Sequence, residues 1–173
     1  MSDQMPTKLD MYNASVIPLI RGLENLGKVL VKTKAFATEK NISDETILNA
    51  RLTLDMLPFK RQIGVVCDTA KGAAGRLAGV DYPSMEDNET TLDEVIERVG
   101  KVADYLKSVS PAGFENSETK SIVLKFGPNE FPFVGYSYLT GFVLPNFYFH
   151  FSIAYAILRT NGMVLGKGDY LGG

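Results

Sequence analysis

The sequence contains one histidine, His150, and it lies in a long stretch that carries no charge. No Lys, Arg, Asp or Glu occurs in the 28 residues from Phe131 to Leu158. Asn146 precedes His150 by four residues, so in a helix the two side chains share one face. An imidazole here can act as a general base or bind a metal ion, and the amide can orient a ligand or donate to a developing oxyanion. This pair is the first candidate for chemistry.

The helix that carries this pair is expected to bury it. Apolar side chains at helical spacing predict a buried stripe formed by Leu139, Phe142, Val143, Ile153 and Ile157. Asn146 and His150 fall in that stripe and are expected to project into the core. Because an unpaired buried polar group costs about 1–3 kcal/mol, each needs a side chain, a water, a metal or a ligand as partner. We therefore expect a pocket beside His150.

Pro145 stands directly before this pair and affects the helix that presents it. Proline lacks a backbone N–H, so it frees the carbonyl of Gly141 one turn earlier and predicts a kink. Such a kink is either tolerated or aims Asn146 and His150 into a cavity.

Composition restricts the class of protein. The chain has 173 residues, 45% of them apolar, and a net charge of −2, which fits one domain spanning residues 1–173 and argues against nucleic-acid binding. The single cysteine, Cys67, excludes an internal disulfide and is interpreted as core packing. Met1–Gln4 lacks the pattern of a signal peptide, so a cytoplasmic location is expected.

The uncharged stretch is also long enough to suggest a membrane span. Polar and helix-breaking residues interrupt it, including Pro132, Gly135, Pro145, Asn146 and His150. A helix surrounded by other helices lacks charge for the same reason. We therefore interpret it as the central helix of a bundle and expect no membrane insertion.

Hydrophobic periodicity predicts an all-α four-helix bundle with additions. The four long helices are expected at about 10–38, 58–77, 91–109 and 136–160. A short extra helix follows Ser43 as its N-cap, and Thr91 with Glu94 forms a capping box. A small β-hairpin between the third and fourth long helices is expected at 121–126 and 130–134, with its turn at Gly127–Asn129.

The second long helix offers partners for the histidine pair. Thr69 flanks its apolar stripe, whereas Asp68 lies nearly opposite the centre of that stripe. Small residues at 72–75 allow a neighbouring helix or a ligand to approach the backbone. Thr69 or Asp68 is therefore a candidate to complete a ligand site with Asn146 and His150.

The tail from Gly162 to Gly173 contains five glycines and is expected not to form a helix. Its apolar residues favour docking onto the end of the bundle, and fraying is the alternative. If it docks near His150, it would act as a lid.

Several segments resemble a known family. Asp68–Ala74, Arg76–Gly79 and especially Leu144–His150, together with Ala154–Arg159 and Leu165–Lys167, are similar to an uncharacterised bacterial family grouped with the DinB/YfiT-like helical bundles. The resemblance covers the chain from Tyr12 to Gly172. It implies a four-helix bundle, often a homodimer, with no assigned activity.

Better-studied DinB-like proteins resemble metal-binding bundles, with one histidine on the second helix and a His-x-x-x-His pair on the last. The corresponding positions here are Thr69 or Asp68, and Asn146 with His150. The resemblance thus implies at most an incomplete site for a divalent ion such as zinc or nickel, with His150 and Asn146 as its ligands. No cofactor is expected otherwise.

Two functional hypotheses follow. In the first, the protein binds a small ligand or acts as a scaffold, with a pocket near His150. In the second, the chain is a metal-dependent small-molecule transferase or hydrolase, with His150 as general base or metal ligand. Whether the protein is an enzyme stays open.

Overall fold

The computed structural model describes residues 8–173. Residues 1–7 of the expected domain, and with them the segment Met1–Gln4 considered for a signal peptide, lie outside the described residues. The helices are α1 (Met11–Lys40), α2 (Asp44–Asn49), α3 (Phe59–Ala78), α4 (Leu92–Ser108), α5 (Gly135–Tyr138), α6 (Leu144–Thr160) and α7 (Lys167–Leu171). Strands β1 (Ser121–Phe126) and β2 (Asn129–Val134) form the hairpin. Short 3₁₀ turns lie at Pro111–Phe114 and Ser117–Thr119. The predicted mostly helical bundle with one hairpin is confirmed.

The helix starts follow their capping residues. Asp10 and Ser43 accept from backbone N–H groups in the first turns of α1 and α2. Thr91 and Glu94 form the predicted capping box of α4. Each cap satisfies amides that have no partner inside the helix, which stabilises the helix by about 1 kcal/mol.

The long helices pack around one hydrophobic core. α1 lies against α4, α4 against α3, and α3 against α6. Phe59, Phe147, Phe151 and Leu19 are among the largest fully buried side chains. Cys67 is buried in this core, and burial raises the pKa of its thiol to about 12, so it stays a protonated packing residue.

Helix continues from Gly135 to Thr160, through a π-helical turn at Leu139–Val143. The π turn ends just before Pro145, which has no N–H to donate to Gly141. A local widening of this kind accommodates the missing hydrogen bond. The structure therefore places a π turn where the sequence predicts a kink.

By length and composition alone, the helix from Gly135 to Thr160 could cross a membrane. Of the most apolar 18-residue stretch of this helix, 33% is buried inside the fold. In the fold it packs along α3 as one helix of a bundle. This arrangement supports the interpretation as a bundle helix of a soluble fold.

The hairpin pairs β1 and β2 antiparallel, with Ser121 opposite Val134 and Phe126 opposite Asn129. Gly127 provides the positive φ of +59° at the predicted turn. Gly135 follows β2 so close to the backbone carbonyl of Ser117 that a side chain would overlap it. The hairpin is thereby fixed beside the start of the last long helix.

The C-terminal tail docks, but the prediction that it forms no helix is wrong. α7 begins with Asp169 accepting from the Gly166 N–H at 2.8 Å. Tyr170 stacks on Phe151, with ring centroids 4.3 Å apart, and Asn25 Nδ2 donates to the Tyr170 carbonyl at 3.1 Å. A local cap and tertiary packing outweigh the low helix propensity of glycine.

The contact between α1 and α6 depends on a glycine. A Cβ added to Gly22 would lie 2.6 Å from Cε1 of the fully buried Phe147 ring. We expect Gly22→Ala to lower the free energy of unfolding by about 1–3 kcal/mol in urea denaturation, because the core must shift.

Gly27→Ala is the matched control, since nothing lies within 4 Å of its added Cβ in the same helix. That change should stabilise α1 by about 0.5–1 kcal/mol. Equal effects of the two substitutions would contradict the packing role of Gly22.

Candidate functional site

Three polar pairs connect α3 to the last long helix along one edge of their contact, and we call them the polar seam. The pairs are Gln62 with His150 at 2.7 Å, Thr69 with Asn146 at 2.8 Å, and Arg76 with Tyr138 at 3.0 Å. Residues 62, 69 and 76 are seven apart and therefore share a helix face. The seam brings Thr69 to Asn146 and adds Gln62 as the partner of His150.

Gln62 fixes the tautomer of His150. Its Nε2 donates to the carbonyl of Leu57 at 2.9 Å, so its Oε1 is the atom that faces the imidazole. His150 Nδ1 must therefore carry the proton and donate to Gln62 Oε1. This leaves His150 Nε2 unprotonated, with a lone pair available to a hydrogen-bond donor.

The imidazole is neutral at neutral pH. His150 is half-buried, and this burial lowers its pKa below the usual value of about 6.5 because the charged form loses solvation. The neutral ring keeps Nε2 as an acceptor rather than a second donor.

Asn146 presents a second acceptor one turn before His150. Its Nδ2 donates to the hydroxyl oxygen of Thr69, which is buried. The carbonyl oxygen Oδ1 is left to accept a hydrogen bond. Two acceptors at positions i and i+4 suit a ligand that carries two donors.

Asn146 and His150 lie at the flank of the buried stripe, not inside it. The buried residues of this helix are Gly135, Tyr138, Leu139, Val143, Phe147, Phe151, Ala154, Ile157 and Leu158. Phe142 and Ile153, expected in the stripe, are only half-buried. The contact of Phe147 with α1 sets the rotation of the helix about its axis. The preceding residue, Asn146, therefore faces the edge of α3.

Asp68 points away from the seam. Its carboxylate is exposed and pairs with Arg98 at 3.3 Å and with Lys71 at 3.1 Å. Arg98 is buried and also bonds Glu89 at 2.7 Å. These contacts tie α3 to α4, so Asp68 serves packing between these helices. Of the two candidates on α3, only Thr69 lies beside Asn146.

The donor set of the seam does not fit a zinc or nickel site. Within residues 8–173, no group of three or more His, Cys, Asp or Glu side chains is arranged to hold a metal ion. His150 would be the single strong ligand, with the amide of Asn146 and the hydroxyl of Thr69 as weak ones. The side-chain chemistry therefore differs from the three-histidine pattern that the sequence resemblance implies for metal-binding relatives.

Two cavities in the described part of the chain lie away from His150, and the pocket expected beside it stays a prediction. One is an open groove of about 540 Å³ between α1 and α4. The other, of about 160 Å³, lies between α1, α2 and the end of α6. Neither is lined by Asn146 or His150, and both of these residues are half-buried.

Helices in this order, with a polar edge between α3 and α6, define a DinB-like helical bundle. A crystal structure of a DinB family member protein from Shewanella denitrificans is similar at 37% identity and a TM-score of 0.85, covering 94% of this chain and 92% of that chain. The chain belongs to the family described as a domain of unknown function (DUF1993), whose model matches residues 11–171. A comparison with curated proteins found no match.

The sequence analysis does not indicate Gln62, because the resemblance to metal-binding bundles points to Thr69 and Asp68 on α3 instead. The available signal was its spacing, since Gln62 precedes Thr69 by seven residues and so lies on the same face of α3. A polar residue on a buried helix face needs a partner, and Asn146 and His150 are among the few polar side chains of the last long helix.

The titration of His150 tests this geometry. We expect its Cε1 proton, the single histidine signal of this chain, to titrate by NMR with a midpoint below 6.5, since burial lowers the pKa. Because the unfolded chain then takes up its proton at higher pH, stability falls as pH drops below about 6.5. His150→Gln should lack that part of the pH dependence.

Gln62→Glu provides the opposite change at the same position. A carboxylate beside Nδ1 should stabilise the imidazolium and raise the midpoint. A midpoint at or above 6.5 in the unchanged protein, or no effect of Gln62→Glu, would contradict the assigned contact.

Proposed function

We propose that this protein binds a small molecule at the polar seam, through His150 Nε2 and Asn146 Oδ1. The observation that carries the proposal is the fixed tautomer of His150, which Gln62 holds with Nδ1–H directed inward. An amide that holds one ring nitrogen in this way prepares the other ring nitrogen for one defined partner. The ligand class that matches two acceptors is a neutral molecule with two N–H or O–H donors.

Preorganisation favours binding over a purely structural role. Asn146 and His150 are each held from α3 by one hydrogen bond, yet both remain half-buried and keep one acceptor atom. Because their orientation is already set in the protein, a ligand does not have to order them. The bundle itself supplies rigidity, and a catalytic metal is not part of this proposal.

The test uses a defined set of probes: urea, formamide, ethylene glycol and small diamides, followed at the His150 Cε1 proton. We expect saturable shifts in the unchanged protein and a loss of affinity of about tenfold in Asn146→Ala, which removes one of two hydrogen bonds. Asn49→Ala, at an exposed amide on α2, is the matched control and should retain binding.

Absence of saturable shifts with every probe would overturn the proposal. A second measurement, elemental mass spectrometry of protein purified without an affinity tag, would change the proposal if it found near-stoichiometric zinc or nickel that is lost in His150→Ala. That result would assign the chain to the metal-dependent transferases or hydrolases instead.

Self-association is a second proposed role, and one observation favours it. Exposed apolar side chains on the hairpin and on α6 are Phe126, Phe131, Val134 and Phe149. The last three belong to the uncharged segment Phe131–Leu158. Exposed aromatic and aliphatic side chains of this kind are typical of interfaces. A second copy of the chain matches them, because a two-fold contact places the apolar side chains of one copy on those of the other.

Light scattering tests this role. We expect the unchanged chain to be a dimer, and Phe149→Glu to shift it to monomer because Phe149 is 54% exposed and a buried glutamate would face its copy. Leu54→Glu, at a 96% exposed site on another surface, is the control and should leave the mass unchanged. A monomeric unchanged protein would exclude this interface.

A further inference from the structure

A cavity of about 160 Å³ lies between the end of α1, α2 and the end of α6, about two turns along α6 from His150. Its walls include Phe36, Ile47, Ile157, Leu158 and Met163. Ile157, Leu158 and Met163 are buried, whereas Thr46 and Asn161 on its rim are exposed. The cavity is therefore mostly apolar, with buried residues on its walls and two exposed polar residues among those that line it.

The chemistry of the walls restricts what can occupy the cavity. No Asp, Glu, Lys, Arg or His is among the described residues that line it. An ion would lose its hydration there without a compensating charge, so a charged ligand is excluded. Well-packed interiors rarely contain voids larger than a water molecule, and an apolar cavity of about 150 Å³ stays dry and accepts benzene or xenon.

One polar atom is available deep in the cavity. Thr33 lies on its wall, is completely buried, and donates its hydroxyl proton to the Val29 carbonyl at 2.8 Å. Its oxygen is also 3.3 Å from Met163 Sδ. The lone pairs of the hydroxyl remain able to accept one hydrogen bond.

We propose that this cavity is a second binding site, for a neutral, largely apolar molecule of about six to nine non-hydrogen atoms. A ring or a compact branched chain with at most one donor fits both the volume and the buried acceptor of Thr33. The site is separate from the polar seam.

α2 forms one wall of this cavity. Asp44 at the start of α2 accepts a hydrogen bond from the Leu92 N–H at 2.8 Å, which ties α2 to α4.

The experiment titrates benzene and phenol into the ¹⁵N-labelled full chain and follows backbone amide shifts. We expect saturable shifts at Ile157, Leu158 and the α2 residues. Ala50→Leu adds a side chain to the cavity wall and should abolish them, whereas Ala35→Leu makes the same change at an exposed position of α1 and should not.

Thr33→Val tests the same site without filling it. The valine keeps the shape and removes the acceptor, so it should retain benzene binding and lower the ratio of phenol to benzene affinity. The proposal is overturned if neither probe gives saturable shifts in the unchanged protein, or if a folded Ala50→Leu variant binds both probes as before. If Ala50→Leu does not fold, an unchanged phenol-to-benzene ratio in Thr33→Val also overturns it.

Discussion

Nearly complete burial of α3 is the constraint on which the rest of the structure depends. Fourteen of its twenty residues are buried, so most neighbours must approach its backbone closely. Its Gly and Ala residues permit this approach. The same burial requires partners for its polar side chains: Gln62 and Thr69 find them on α6, and Lys71 finds Asp68 within α3. The polar seam is thus a consequence of how the bundle packs.

Polar groups on the two sides of α3 are satisfied in different ways. Toward α6, the Gln62–His150 and Thr69–Asn146 pairs consist of amides, a hydroxyl and an imidazole, which are neutral and need less desolvation energy than ions. Toward α4, Arg98 is 4% exposed at its side chain and contacts Asp68, Asp87 and Glu89. A buried guanidinium requires such charged neighbours. The neutral side is the one that retains free acceptor atoms for a ligand.

Local signals predicted the features that depend on local chemistry. Ser43, Thr91 and Glu94 cap the helices where the sequence places them, and the hairpin turns at Gly127, because these residues act within a few positions of themselves. The rotation of Asn146 and His150 depends on Phe147 meeting Gly22 in a distant helix. The pairing of Gln62 with His150 and the helix in the C-terminal tail depend on tertiary packing in the same way. Periodicity along one segment carries no information about such packing.

The docking of α7 on α1 also orders events in time. Asn25 and Tyr170 are joined across 145 residues of chain, so this contact closes one of the longest loops in the molecule and carries a large entropic cost. On the ribosome, α1 emerges long before its partner has been synthesised. The part of α1 around Asn25 that α7 covers therefore stays open to chaperones until residues 167–171 have also left the ribosome.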